Sequence, residues 1–215
     1  MQIDIITIFP EVFDSFLKES LLYKAQEKGL LKIKIHNLRD FVSDRKVDDK
    51  PFGGGRGMVM KADVIQKAVK KIKKKNGKVI LFSPRGKKFN QKKATSFSKV
   101  KQLVLISGRY EGIDERVAKH IADEVISIGD YVLMGGDLPC LVVIESVARL
   151  IPNVIGKPEL VKRRIKKAGF VEYPQYTRPE IVEIKGKKIK APKVLLSGNH
   201  KDIEEWREKN SVVIE

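Results

Sequence analysis

The stretch that most constrains the chain is Ser127-Ile-Gly-Asp-Tyr-Val-Leu-Met-Gly-Gly-Asp-Leu-Pro139. Ahead of it, the apolar run from Val125 to Ile128 reads as the end of a buried strand. Beyond it, Leu138 to Leu150 has helical periodicity. Gly129, Gly135 and Gly136 lie between the two, where glycine permits positive φ and a close approach of backbone to ligand. An irregular loop of this kind, rich in free N–H and C=O groups, suits a flat polar molecule. It suits equally a tight strand-to-helix connection with nothing bound, since the spacing is neither GxGxxG nor a Walker loop. Two further loops have the same position and character. Ser107-Gly-Arg-Tyr-Glu-Gly-Ile-Asp-Glu-Arg116 follows the strand expected over 102–106, and Phe82-Ser-Pro-Arg-Gly86 follows the strand expected over 78–81. Ligands of open α/β sheets collect outside the carboxyl ends of the strands, so the three loops point to one pocket walled by several segments.

The remaining pattern is α/β. Residues 2–9 read as a strand, and a helix starts at Pro10, with Phe13, Phe16, Leu17 and Leu21 on one face and Gly29 at its end. A second strand covers 31–36. Residues 37–60 are mostly loop, because Asp48-Asp-Lys-Pro-Phe-Gly-Gly-Gly-Arg-Gly57 holds four glycines and a proline within ten positions. Asp48 and Asp49 lack a third ligand at metal spacing. An amphipathic helix is expected over 62–75, with a lysine-rich outer face that is either solvated or turned to phosphates. Further helices are expected over 89–99, 113–121 and 137–150. Periodicity alone predicts a doubly wound sheet of five or six parallel strands.

Forty-four lysines and arginines against 27 acids leave a formal charge of +17. Such a balance favours polyanions, nucleic acid first among them, although a lysine-rich solvated surface has the same composition. The single cysteine, Cys140, excludes a disulfide framework and sits in an apolar stretch, as a small core residue would. No apolar run reaches membrane-spanning length and no signal core follows the N-terminus, so a cytoplasmic protein without a membrane partner is expected. Three histidines without ligand spacing give no zinc site.

The segments GRYEGIDERV, SIGDYVLMGGDLP, VARLIPNVIG, EYPQYTRPE and VLLSGNHKDIEEWR, with VDDKPFGGGRGMVM, together resemble the bacterial tRNA (guanine-N1)-methyltransferases, the TrmD family, from Met1 to about Arg207. The resemblance implies a SPOUT-type, mainly parallel α/β sheet with a deep trefoil knot, followed by a small α-helical domain. Residues 1–156 would bind cofactor and dimerise, 157–169 would form a basic linker, and 170–215 would be a small tRNA-binding domain, read as incomplete against the family. It implies transfer of a methyl group from S-adenosyl-L-methionine to N1 of guanosine at tRNA position 37. Mg²⁺, a homodimer and tRNA are implied as well, with no DNA partner and no assignable metal ligands.

The cofactor cradle implied by the family comprises Leu81, Ser83, Pro84, Gly108, Tyr110, Glu111, Gly112, Ile128, Gly129, Asp130, Tyr131, Val132, Leu133, Gly135 and Gly136. Arg149 matches the catalytic arginine that stabilises charge on guanine O6, as the reaction requires. The reaction also needs a base for the N1 proton. The family's linker aspartate is replaced by Arg164, and no aspartate occurs between Asp137 and Asp202. Glu172 and then Glu159 are the acids that would substitute. Two alternatives therefore stand beside methylation of guanosine 37: a catalytically weakened homologue that binds tRNA and cofactor, and a related SPOUT enzyme with another RNA target.

Overall fold

The computed structural model describes residues 1–156, 165–166 and 169–214. The chain divides into two compact units, Met1–Val161 and Lys162–Glu215.

The first unit is built on a five-stranded parallel sheet. Its strands are β1 (Gln2–Thr7), β2 (Lys32–Asn37), β5 (Gly77–Lys88), β6 (Gln102–Ile106) and β7 (Glu124–Ser127), in the spatial order β2-β1-β6-β5-β7. Two short antiparallel strands, β3 (Asp48–Asp49) and β4 (Val59–Met60), close the glycine-rich loop at its base. Alternate residues of each sheet strand serve opposite faces. Ile3, Ile5, Leu103, Leu105, Ile80 and Phe82 meet one apolar layer. Ile6, Val104, Ile106, Val79 and Leu81 meet the other. Strands covered on both faces read as continuous apolar runs, which is how 102–106 and 125–128 appear in the sequence.

The first layer is completed by α1 (Asp14–Leu17), α2 (Ser20–Glu27), α4 (Gln91–Phe97) and α6 (Asp137–Ala148). The second is completed by α3 (Ala62–Ile72) and α5 (Glu115–His120). The single helix expected from Pro10 to Gly29 is in fact a 3₁₀ turn, Pro10–Phe13, followed by α1 and α2. Ser20, at φ +52°, breaks the phase between them. Leu22 and Ala25 therefore turn inward, while Phe16 and Leu21, expected on the inner face, are exposed at 38% and 47%.

A second difference lies in β5. The expected Phe82–Gly86 loop is not the end of the strand but a bulge within it: Phe82 and Lys87 both pair with Ile126. Pro84 has no N–H for the ladder, so the strand must bow out there. Gly86 then returns so closely that a Cβ on it would lie 2.5 Å from the Ile126 carbonyl carbon.

The second unit is mixed rather than the small α-helical unit implied by the resemblance. It holds a three-stranded antiparallel sheet of β8 (Ile165–Lys166), β9 (Gly169–Glu172) and β12 (Val212–Ile214). A separate hairpin pairs β10 (Ile181–Ile184) with β11 (Lys187–Lys190). Lys185 and Gly186 turn that hairpin at φ +52° and +72°, as a tight two-residue connection requires. A 3₁₀ turn, Lys193–Leu196, precedes α7 (His200–Lys209), whose N-cap Asn199 accepts a hydrogen bond from the Lys201 amide at 3.1 Å. Most of the basic segment 157–168, Glu159 and Arg164 included, lies outside the described residues. Among the described residues no helix is long and apolar enough to cross a membrane.

Candidate active site

The carboxyl ends of β5, β6 and β7 open into one cavity of about 640 Å³, inside the range of roughly 300–1,000 Å³ common for small-molecule sites. Its walls come from the three loops that stood out in the sequence. Leu81, Ser83 and Pro84 come from the bulge of β5. Gly108, Tyr110, Glu111 and Gly112 come from the turn after β6. Ile128, Gly129, Tyr131, Val132, Leu133, Gly135 and Gly136 come from the connection between β7 and α6. Asp130 is the one expected cradle residue that is not among the lining residues; its carboxylate is paired with Lys88. Phe82, Arg85, Arg109, Glu115, Met134 and Pro139, which belong to the same three segments but were not named individually as cradle residues, also line the cavity.

The glycines are needed for approach. A Cβ on Gly136 would stand 2.8 Å from the Gly108 nitrogen and 2.9 Å from the Ser107 Cα. A Cβ on Gly135 would stand 2.5 Å from Arg109 Cδ. The Gly136 amide donates to the Gly108 carbonyl at 2.8 Å, so two of the three loops are in direct backbone contact.

Below that contact lies a buried polar cluster. Asp137, the first residue of α6, is 2% exposed. Its Oδ1 accepts from Thr7 Oγ1 at 3.1 Å and from Ser107 Oγ at 2.5 Å. Its Oδ2 accepts from Arg109 Nε at 2.7 Å and from Arg109 Nη2. One carboxylate thus ties the ends of β1 and β6 to the start of α6, where negative charge also suits the helix dipole. The Arg109 guanidinium carbon lies 5.0 Å from the centroid of the Phe9 ring. The signal for this cluster was present: an acid directly after Gly135-Gly136, and an arginine two residues after Ser107. Pairing them requires the fold. Burial, with the Asp137 charge beside it, pushes the Cys140 thiol well above its ordinary range, so it is a core residue without thiolate character.

Arg149 is the C-cap of α6, whereas the cavity lies at the N-terminal end of that helix. Twelve residues at about 1.5 Å each put it roughly 18 Å along the axis from Asp137, and it is not among the lining residues. Leu138, Val142, Glu145 and Arg149 follow helical spacing on one stripe, with Leu138 and Val142 exposed at 58% and 42%. Glu172 belongs to the second unit, at the end of β9, where it accepts a hydrogen bond from Gln175 at 3.3 Å. Among the described residues no group of three or more His, Cys, Asp or Glu side chains is placed to hold a metal ion.

The sequence profile described as tRNA (guanine-1)-methyltransferase TrmD matches residues 1–213. The chain belongs to the TrmD family. A tRNA (guanine-N(1)-)-methyltransferase of Dictyoglomus turgidum is 52% identical over 214 residues, spanning 99% of this chain and 85% of that protein. Proteins of the same description from Carboxydothermus hydrogenoformans and Clostridium novyi are each 50% identical, over 99% and 100% of this chain and 83% and 88% of their own lengths. The TrmD match includes all three cavity loops and α6.

Proposed function

We propose that the chain is a tRNA methyltransferase that moves a methyl group from S-adenosyl-L-methionine to N1 of guanosine 37, beside the anticodon, and that it acts as a homodimer. The observation that carries this reading is the single cavity where the three glycine-bearing strand ends meet, in a chain of the TrmD family. The cradle is of a kind that fits a nucleoside. Gly135 and Gly136 leave no room for a Cβ, and their backbone lies within reach of whatever occupies the cavity. Leu81, Ser83, Pro84, Gly108, Tyr110, Glu111, Gly112, Ile128, Gly129, Tyr131, Val132 and Leu133 complete the proposed donor site. The knotted path of the family is part of the same proposal. Bound there, the donor supplies an electrophilic methyl group on a sulfonium.

Nucleophilic N1 must lose its proton as the N–C bond forms, and the proposed acceptor is Glu172. The negative charge that gathers on O6 meets the guanidinium of Arg149. Arg149 stands at the far end of α6 from its own cavity, beyond the exposed Leu138 and Val142. In this reading the outward stripe of α6 packs against a second subunit and delivers Arg149 to that subunit's cavity. No step is assigned to Mg²⁺.

Purified protein is expected to transfer labelled methyl to a tRNA transcript with guanosine at position 37 and not to the same transcript with adenosine there. Glu172→Ala is expected to lower kcat by about 10²-fold or more. Equal labelling of the two transcripts would refute the assigned target, and an unchanged kcat in the variant would clear Glu172. Tight tRNA and donor binding without transfer would favour the weakened homologue, for which Arg164 at the family's aspartate position argues.

A further inference from the structure

On the cavity wall Arg85 is paired with Glu115 at 2.6 Å and Glu111 adds a carboxylate, while Arg109 is a further cation, which is awkward for a site meant to hold a sulfonium. Like charges in a partly desolvated site oppose each other, so Arg109 left alone would weaken a bound sulfonium. The structure places the counter-charge directly behind the arginine. Asp137 takes Arg109 through both Nε and Nη2, is itself 2% exposed, and is not among the lining residues. The Phe9 ring stands at 5.0 Å from the same guanidinium and offers its electron-rich face to it. Thr7 and Ser107 orient the carboxylate from its other oxygen, so its direction does not depend on Arg109 alone.

Given the methyltransferase reading above, we propose that Asp137 is a positioning residue that neutralises Arg109 and thereby sets the preference of the cavity for the sulfonium donor over its neutral thioether product. Asp137 does not touch the donor in this account. It acts through Arg109, whose stem fills the space beside Gly135 and whose charge it cancels. The two donor states, S-adenosylmethionine and S-adenosylhomocysteine, differ at the sulfur by one methyl group and one positive charge. Product release is therefore favoured by the same balance of charges that admits the donor.

The test is calorimetric and needs no turnover. Dissociation constants of S-adenosylmethionine and S-adenosylhomocysteine are measured for wild type, Asp137→Asn and Arg109→Gln, with thermal melting of each protein as the folding control. Asp137→Asn leaves Arg109 uncompensated, and the ratio Kd(methionine form)/Kd(homocysteine form) is expected to rise roughly five- to fifteen-fold. Arg109→Gln leaves the carboxylate uncompensated, and the ratio is expected to fall. Loss of affinity by one common factor for both compounds in both variants would mean that the pair only holds the loops, and would overturn the proposal. Should Asp137→Asn fail to fold, Arg109→Gln decides alone, since the Arg109 side chain is 23% exposed. Wild type that binds both compounds with unaltered ratios in the variants sinks this inference while sparing the methyltransferase reading; wild type that binds neither removes both.

Discussion

At the scale of single residues, the most exacting feature of the first unit is Asp4. It is 1% exposed in the third residue pair of the β1–β2 ladder, and three side chains donate to it. His36 Nε2 lies 2.8 Å from Oδ1, and Gln102 and Gln2 each reach Oδ2 at 2.7 Å. Burial works to raise its pKa, but the hydrogen bonds from His36, Gln102 and Gln2 together outweigh it and hold the carboxyl below its ordinary value near 3.8. A carboxylate with a depressed folded pKa contributes stability above its unfolded pKa and loses it as pH falls through the folded one. Asp4→Ala also removes the charged acceptor shared by His36, Gln2 and Gln102, leaving the Gln102 amide only the Ile72 carbonyl at 3.1 Å. Chemical denaturation at pH 7 is expected to find the variant less stable by about 2–4 kcal/mol. That gap should narrow as pH is lowered below about 4. A gap that stays constant down to pH 3 would mean that Asp4 is held by packing rather than by charge.

At the scale of elements, what can be read from the chain depends on range. The inner strands are legible because burial on both faces leaves an apolar run, the edge strand β2 because Ile33 and Ile35 alternate with lysines, and the cavity loops because close backbone approach leaves glycines. The break at Ser20 is not legible, because φ +52° at a serine has no local cause in its neighbours; tertiary packing of Leu22 and Ala25 decides it. The bulge in β5 is half legible: Pro84 and Gly86 mark it, but only pairing with β7 shows that the strand resumes at Lys87. The Asp137–Arg109 pair spans 28 residues and appears only once β6 and α6 are adjacent.

The β10–β11 hairpin, expected as part of a helical unit, has its own signature in retrospect: the β-branched Ile181, Val182, Ile184 and Ile189 around Lys-Gly. All eight of its strand residues are exposed, and it carries Lys185, Lys187, Lys188 and Lys190 against Glu183. A two-stranded ribbon is marginal by itself, so contact with a polyanion would steady it. Replacing Lys185, Lys187 and Lys188 by Gln is expected to weaken tRNA binding and to reduce the slope of log K against log salt by about 2–3 units. Donor affinity and kcat at saturating tRNA should not change. An unaltered salt slope in a filter-binding titration would exclude the hairpin from the RNA interface.

At the scale of the whole molecule, the site proposed here is shared between copies. Two inactive variants should then rescue each other. Arg149→Ala keeps an intact cavity, and Gly135→Val fills the space of Arg109 but keeps Arg149. Co-refolded in equal amounts, random pairing gives half mixed dimers with one complete site each, or about a quarter of wild-type activity. A mixture as inactive as its components would place Arg149 on its own subunit's cavity.

The sheet order has a consequence for synthesis. β1 is laid between β2 and β6, with Gln2 opposite both Lys32 and Gln102. β1 leaves the ribosome before either partner and can recruit β2 early, but its other edge stays bare until residues 102–106 emerge. At about 5–20 residues per second that is a wait of several seconds. During it, an isoleucine-rich ribbon with unsatisfied amides is open to any passing strand, so a nascent chain of this protein should depend on a holding chaperone more than its final stability would imply.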